Sequence, residues 1–339
     1  MRRLCLALIA VTLMAGPAKP EARLLDWADL HGWASDDHAE ALAVFNETCG
    51  DLTEGDWPAI CAYAREDGDP RTFFETFFRP VLLTDDEEPL FTGYYEPELP
   101  GARRRSDKYS VPLYRRPDDA PSGIPWLTRQ ELETSGILEG RELEIAWLED
   151  PVDKFFLQIQ GSGRIRLPNG ESLRVGYGGK NGHPYRSVGK ELIRRGLLEE
   201  HQVSAQAIRK WVRDNPTNGP QMLWHNPSYV FFREVTQVPA EKGPLGAMNR
   251  SVTAMRTVAV DPQFVPLGAP VWLEKEGEFP LRRLMVAQDT GSAVTGPQRA
   301  DIFYGTGDEA GVIAGRVRDG GRLVILLPVE QALTLTDGN

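Results

Sequence analysis

The chain has 339 residues, of which 41% are hydrophobic and 26% charged, and its formal net charge is −11. That length exceeds the ~100–200 residues of one ordinary domain, so two domains that each bury a core are expected. Scattered acids and a negative balance exclude nucleic acid as a partner.

The first residues read MRRLCLALIAVTLMAGPAKPEA: two arginines, an apolar run from Leu4 to about Ala15, then small residues suited to a signal-peptidase cut. This is the pattern of an export signal over residues 1–22 and implies a periplasmic protein. The apolar run falls short of the ~20 residues a helix needs to cross a bilayer, and no later segment comes closer, so no transmembrane span is expected. A lipoprotein signal would place a cysteine directly after the run, whereas Cys5 precedes most of it, so no outer-membrane lipid anchor is expected. Cleavage near Ala18 or Ala22 removes Cys5 and leaves Cys49 and Cys61. In an oxidising compartment these two favour a local disulfide; two buried thiols on neighbouring helices are the alternative. Losing residues 1–22, which hold Arg2, Arg3 and Lys19 against Glu21, takes the net charge to −13.

From Leu24 to about Arg79, AEALAVFNETC and PRTFFETFF space apolar side chains at three and four, and Pro70 suits a first helical turn. After Pro89 the texture becomes short β-type runs broken by glycine and proline: LFTGYYEPEL, FFLQIQGSGRIRL, SLRVGYGG. Ser187 to Asn215 reverts to helix, with Ser187 and Ser204 as N-caps, Val188, Leu192 and Ile193 on one stripe, and Asn215-Pro216 as the stop. From Tyr229 onward the β texture returns, with turns at Pro266-Leu267-Gly268 and Asp319-Gly320-Gly321. Strands this short and frequent suggest a barrel or sandwich.

Metal chemistry has little to rest on: the five histidines are scattered, HExxH is absent, and the two mature cysteines form no close pair. Neither GxSxG nor a nucleotide-binding glycine motif occurs. Carboxylates remain, and no metal or other cofactor is expected. In LMVAQDTGSAVTGPQRADIFYG an apolar strand runs into Asp289, a loop containing Gly291 follows, and a second strand opens at Asp301, 12 residues on. Strand-loop-strand geometry can bring both side chains over one end of a sheet. Either a nearby carboxyl or an apolar rim raises a carboxyl's pKa and lets it act as a general acid at neutral pH. The plainer reading makes Asp289 a turn-former and Asp301 a solvated strand-start acid. DTGS after a strand also suits an aspartic protease, but that chemistry needs a second such loop, and this long chain has one.

Sugar-binding groups are read from the β region. In FFLQIQGSG, taken as a strand, Gln158 and Gln160 share a face and offer amides, with Ser162 beyond them. Tyr94 and Tyr95 offer ring faces, although strand aromatics are more often core. Glu96 is a second acid or a turn residue. Asn226, Ser228 and Tyr229 in HNPSYVFFRE, and Lys180, Asn181 and His183 in GYGGKNGHPY, add polar groups among glycines, and Tyr177 in the same segment is a further substrate-binding candidate.

Taken in order, TGYYEPEL, FLQIQGSGRIRL, GYGGKNGHPYRSVG, NPSYVFFRE, GPLGAMN, RTVAVDPQFVPLGAPVWL and DTGSAVTGPQRADIFYGTGDEAG closely resemble the membrane-bound lytic murein transglycosylase A family, over about residues 88 to 327. That resemblance implies a mainly β protein with peripheral helices, in which a double-psi β-barrel is interrupted by an inserted β domain and the glycan lies in the groove between. The implied units are residues 23–98 (N-terminal helices and first part of the barrel), 99–235 (insert) and 236–339 (rest of the barrel). It implies cleavage of the β-1,4 bond between N-acetylmuramic acid and N-acetylglucosamine with formation of a 1,6-anhydro end. The catalytic aspartate falls on Asp301 and the second barrel aspartate on Asp289, with Gly291 in the substrate loop. Ser292 and Thr295 stand where the family commonly has glycine and a basic residue. A monomer is expected, with the glycan strand as its partner and other cell-wall remodelling proteins as candidate neighbours. A non-catalytic peptidoglycan-binding protein and an ordinary glycoside hydrolase are the rival readings.

Overall fold

The computed structural model describes residues 20–337, so nearly all of the expected export signal lies outside the described residues. The chain opens with strand β1 (Glu21–Leu24) and helices α1 (His38–Thr48), α2 (Trp57–Tyr63) and α3 (Pro70–Phe77), followed by β2 (Phe78–Thr84) and β3 (Leu90–Glu96). Asp37 and Asp69 cap α1 and α3 by accepting the amides of Glu40 and Thr72, and Pro70 occupies the first turn of α3. The helical reading of residues 24–79 holds for these three segments. It misses β2, which leaves α3 without a turn because its apolar residues pair with a distant strand.

A second group follows: β4 (Glu98–Ala102), β5 (Val111–Tyr114), α4 (Arg129–Thr134), β6 (Glu144–Leu148), α5 (Pro151–Gln160), β7 (Gly163–Arg166), β8 (Ser172–Lys180), α6 (Val188–Arg194), α7 (Ala205–Asp214), α8 (Gly219–Leu223) and β9 (Val230–Glu234). Ser187 and Ser204 cap α6 and α7, as their positions predict. The chain then returns through β10 (Thr257–Val260), β11 (Pro270–Lys275), β12 (Leu281–Thr290), β13 (Arg299–Thr306), α9 (Asp308–Ala314), β14 (Arg318–Asp319), β15 (Gly321–Pro328) and α10 (Val329–Asp337).

Two sheets result. One has the order β1-β2-β15-β11-β12-β10-β13-β3-β14, so it is built from both ends of the chain; the other, β5-β6-β4-β7-β8-β9, is built wholly from the middle. β10 and β11 are buried along their whole length, as strands covered on both faces must be. They centre a core in which Trp272, Phe45, Phe74, Phe78 and Phe91 are almost fully enclosed. Arg256, buried at the start of that core, pairs with Asp36 and Glu40 and so ties α1 to the sheet. The smaller core of the middle sheet gathers Leu113, Leu157, Ile165, Val175 and Phe232. Cys49 and Cys61 are joined with their Cα atoms 5.4 Å apart, linking the C-terminal end of α1 to α2.

The segment FFLQIQ, expected as a strand, is the C-terminal part of α5. Asp150 caps it by accepting the Val152 amide, Pro151 fills its first turn, and Gly161 ends it in the left-handed region at φ 78°. Those start and stop signals stand in the sequence, and they outweigh the local alternation of apolar and polar residues.

Candidate active site

The two candidate carboxylates lie on strands that are not neighbours. β10 runs between β12 and β13, and its Ala259 is opposite Asp289 on one side and Asp301 on the other. Asp301 in turn faces Thr92 of β3. Asp289, Ala259, Asp301 and Thr92 therefore form a row on one face of the sheet, with the two carboxylate-bearing backbones ~10 Å apart. A bulge creates the row: Val258 pairs with Ala287 but Ala259 with Asp289, so Gln288 is the extra residue. Without it Asp289 would stand opposite Val260 and point to the other face. Ala259, between the two acids, is itself buried and packs with Tyr94, Val252, Val294 and Phe303.

Asp289 is held by donors on both oxygens. Its Oδ1 accepts the amides of Ala247 and Thr290, each at 2.9 Å, and its Oδ2 accepts the Tyr94 hydroxyl at 3.0 Å. Burial still pushes its pKa up to about 6, against these lowering bonds, and the Asp301 charge adds to the rise. Asp301 accepts one bond, from the Thr92 hydroxyl to Oδ1 at 2.8 Å. Burial raises its pKa, while the Arg299 cation and the Thr92 bond pull it down. A carboxyl so placed keeps its proton to higher pH than an exposed aspartate, as a general acid requires.

Beside Asp289 opens a cavity of about 560 Å³ between the two sheets. One wall carries Gln158, Gln160, Ser162, Tyr177, Lys180 and Arg233; the other carries Ala247, Asn249, Asp289, Gly291 and Ser292. Of the residues singled out from sequence, Gln158, Gln160, Ser162, Tyr177, Gly291 and Asp289 thus share one wall or the other. Asp301 is not in those walls; it follows Asp289 along the row, partly exposed. Tyr177 is 52% exposed, and its ring is available to a ligand. Gln158 has both ends engaged: its Oε1 accepts from Arg129 and its Nε2 donates to the Val230 carbonyl. Gln160 accepts the Tyr95 amide. Because both lie in a helix, they do not form the parallel pair of amides that a strand would give.

Five expected substrate contacts are engaged within the structure instead. Tyr94 is buried, its ring against Phe303 at 5.1 Å and its hydroxyl on Asp289, so it presents no face to a sugar. Glu96 is fully buried between the sheets, accepting from Arg164 at 2.8 Å and Thr306 at 2.9 Å with Arg174 at 3.3 Å. Asn226 is buried and accepts the amides of Arg186 and Ser228. Tyr229 is buried against the Arg129 and Lys154 cations, behind α5, where it lines a separate cavity of about 310 Å³. Tyr95 is partly buried, packed on Gly311 of α9 and bonded to Arg209. Each of these residues has its partner in a distant segment, and that partner decides its burial.

Sequence reading did not single out Thr92, Arg299 or Ala247. The signal for the first two was period-two alternation: Thr92 shares a face with Tyr94, and Arg299 with Asp301. Among the described residues no group of three or more His, Cys, Asp and Glu side chains is placed to hold a metal ion. No described helix is long and apolar enough to cross a membrane.

Fold and site together define a mainly β protein of two sheets whose half-buried carboxylates stand beside a groove between them. Residues 90–233 match the MltA specific insert domain and residues 256–327 the 3D domain. Over 272 residues the chain is 32% identical to the membrane-bound lytic murein transglycosylase A of Vibrio cholerae, covering 76% of this chain and 71% of that one. Its match to the Escherichia coli protein of the same name is 35% over 247 residues, 70% of this chain and 65% of the relative. The structure of a membrane-bound lytic murein transglycosylase from Agrobacterium tumefaciens superimposes with TM-score 0.82 at 32% identity, covering 93% of this chain and 99% of that one. Escherichia coli MltA with bound chitohexaose gives 0.74 at 28% identity, covering 93% and 96%. The chain belongs to the membrane-bound lytic murein transglycosylase A family. Its fold is the family's, with a C-terminal domain of the double-psi barrel type, as the sequence resemblance implies.

Proposed function

We propose that this chain is a peptidoglycan lytic transglycosylase that cleaves the β-1,4 bond between N-acetylmuramic acid and N-acetylglucosamine, leaves a 1,6-anhydro end, and uses Asp301 as both acid and base. Protonated Asp301 donates to the glycosidic oxygen as positive charge develops on the muramic anomeric carbon; its carboxylate then takes the proton of that sugar's C6 hydroxyl as the C6 oxygen bonds to the anomeric carbon. The second step is intramolecular, an entropic advantage over attack by water. Chitohexaose, bound by the Escherichia coli relative, is a β-1,4-linked oligomer of N-acetylglucosamine and fits a groove of this kind.

The observation that carries this reading is the difference between the acids. An ordinary glycosidase needs a second carboxylate free to attack or to activate water. Asp289 has donors on both oxygens, and Glu96, fully buried, has Arg164 and Thr306 on one oxygen and the Arg174 cation at 3.3 Å from the other, so of the three only Asp301 has an unpaired oxygen that is not sealed from solvent. Asp289, more than half ionised at neutral pH, faces the developing positive charge and stabilises it. A purely binding protein gains nothing from holding two carboxyls above their usual range. We place the protein in the periplasm, with signal cleavage near Ala18. That leaves β1 whole, whereas a cut after Ala22 removes two residues paired with β2.

Mass spectrometry of the products from purified sacculi tests the proposal. Anhydro ends are expected from the wild type and none from a folded Asp301→Asn; reducing ends would establish a hydrolase, and no products a binding protein.

A further inference from the structure

Thr92 carries a hydroxyl that stands between Asp301 and Arg299. Arg299 donates from Nη2 to the Thr92 oxygen at 2.8 Å, and the Thr92 hydroxyl lies 2.8 Å from Asp301 Oδ1. A guanidinium has no acceptor, so the direction of the first bond is fixed. With its oxygen already accepting from a cation, the hydroxyl aims its single proton at Asp301 Oδ1. Arg299 is itself anchored, since its Nη1 donates to the carbonyls of Leu90 and Ala300, one on each strand. Asp301 Oδ2 receives no bond among the described residues and is not sealed from solvent.

We infer that Arg299 and Thr92 form a positioning relay that keeps Oδ1 of Asp301 an acceptor and so confines the transferable proton to Oδ2, the oxygen free to meet the glycan. A carboxyl without such a relay divides its proton between two oxygens, one of them turned into the sheet. The relay also shapes the second step: once Oδ2 has given up its proton, the same oxygen is the unpaired base that collects the next one. This inference rests on the proposed role of Asp301. The charged and titratable groups around that carboxyl are Arg299 and Tyr304 on β13, Asp289 on β12, Tyr94 on β3, and Arg318 on β14 beside Arg299. Of these, Arg299 is the cation that favours the ionised form of Asp301.

The test is steady-state kinetics with pH profiles on soluble glycan strands for wild type, Thr92→Val, Thr92→Ser and Arg299→Gln, each first checked for a native melting transition. Thr92→Val is nearly isosteric and is expected to lower kcat roughly tenfold or more, part of the ~10²–10⁴ that positioned proton transfer contributes, with KM within about twofold. Thr92→Ser restores kcat, because the hydroxyl returns. Arg299→Gln removes a cation that favours the carboxylate, so the alkaline limb of the kcat profile moves to higher pH while kcat falls. Wild-type kcat and profile in folded Thr92→Val, or no recovery in Thr92→Ser, overturns the relay. Absence of anhydro products from the wild type overturns the functional reading itself, a separate outcome.

Discussion

Replacing Asp289 with asparagine isolates what it costs the fold to hold a carboxylate beside the groove. Asp289 titrates at about 6 in the folded protein, against 3.8 when free. Between those values the folded chain keeps a proton that the unfolded chain has released, so stability falls as pH rises through the window and the loss is complete above about 6. A rise of about two units corresponds to ~3 kcal/mol. Asparagine does not ionise, and its Oδ1 can still accept the amides of Ala247 and Thr290. What it loses is an acceptor for the buried Tyr94 hydroxyl, which at pH 4, with the wild-type carboxyl protonated, is a neutral bond worth ~0.5–1.5 kcal/mol. At pH 4 the variant is therefore expected to be no more stable than the wild type, and at pH 7.5 more stable by ~1–2 kcal/mol, the two pH curves diverging by ~2–3 kcal/mol in the variant's favour. Urea denaturation of both proteins at pH 4, 5, 6 and 7.5 measures this directly. Parallel curves, or a variant that loses ground as pH rises, would refute the argument. Its turnover is expected to drop, because charge stabilisation beside the row is lost.

Glu96→Ala leaves Arg164 and Arg174 without their carboxylate where the two sheets meet, and is expected to cost ~3–5 kcal/mol in denaturation; a loss below 1 kcal/mol would show that the joint does not depend on the ion pair. Gly93→Ala places a Cβ 2.8 Å from both the Ala314 Cα and the Tyr304 ring. It should cost ~1–3 kcal/mol and lower kcat by shifting the strand that carries Thr92, read by melting and by product release. Replacing Cys49 and Cys61 together by serine opens a loop with a sequence separation of 12, for an expected loss of ~3 kcal/mol that reductant reproduces in the wild type. Reductant that leaves wild-type melting unchanged would contradict this.

Much of the molecule is legible in its sequence because it depends on neighbours along the chain. Asp37, Asp69, Ser187 and Ser204 cap their helices from positions three residues before the amides they accept. The start and end of α5 were equally local, and reading it as a strand gave the alternation of FFLQIQ more weight than Asp150, Pro151 and Gly161. Asp289 and Asp301 stood out as acids at the ends of apolar strands. Tertiary structure decided everything that involves a second segment. It buried Tyr94, Glu96, Asn226 and Tyr229, whose partners lie far away in sequence. It also put β10 between the strands of the two aspartates. The single bulged residue Gln288 turned Asp289 onto the face of Asp301. Strand register is a property of pairs, and a shift of one residue reverses which face a side chain occupies, so no stretch of this chain taken alone could specify the row on which the proposed chemistry depends.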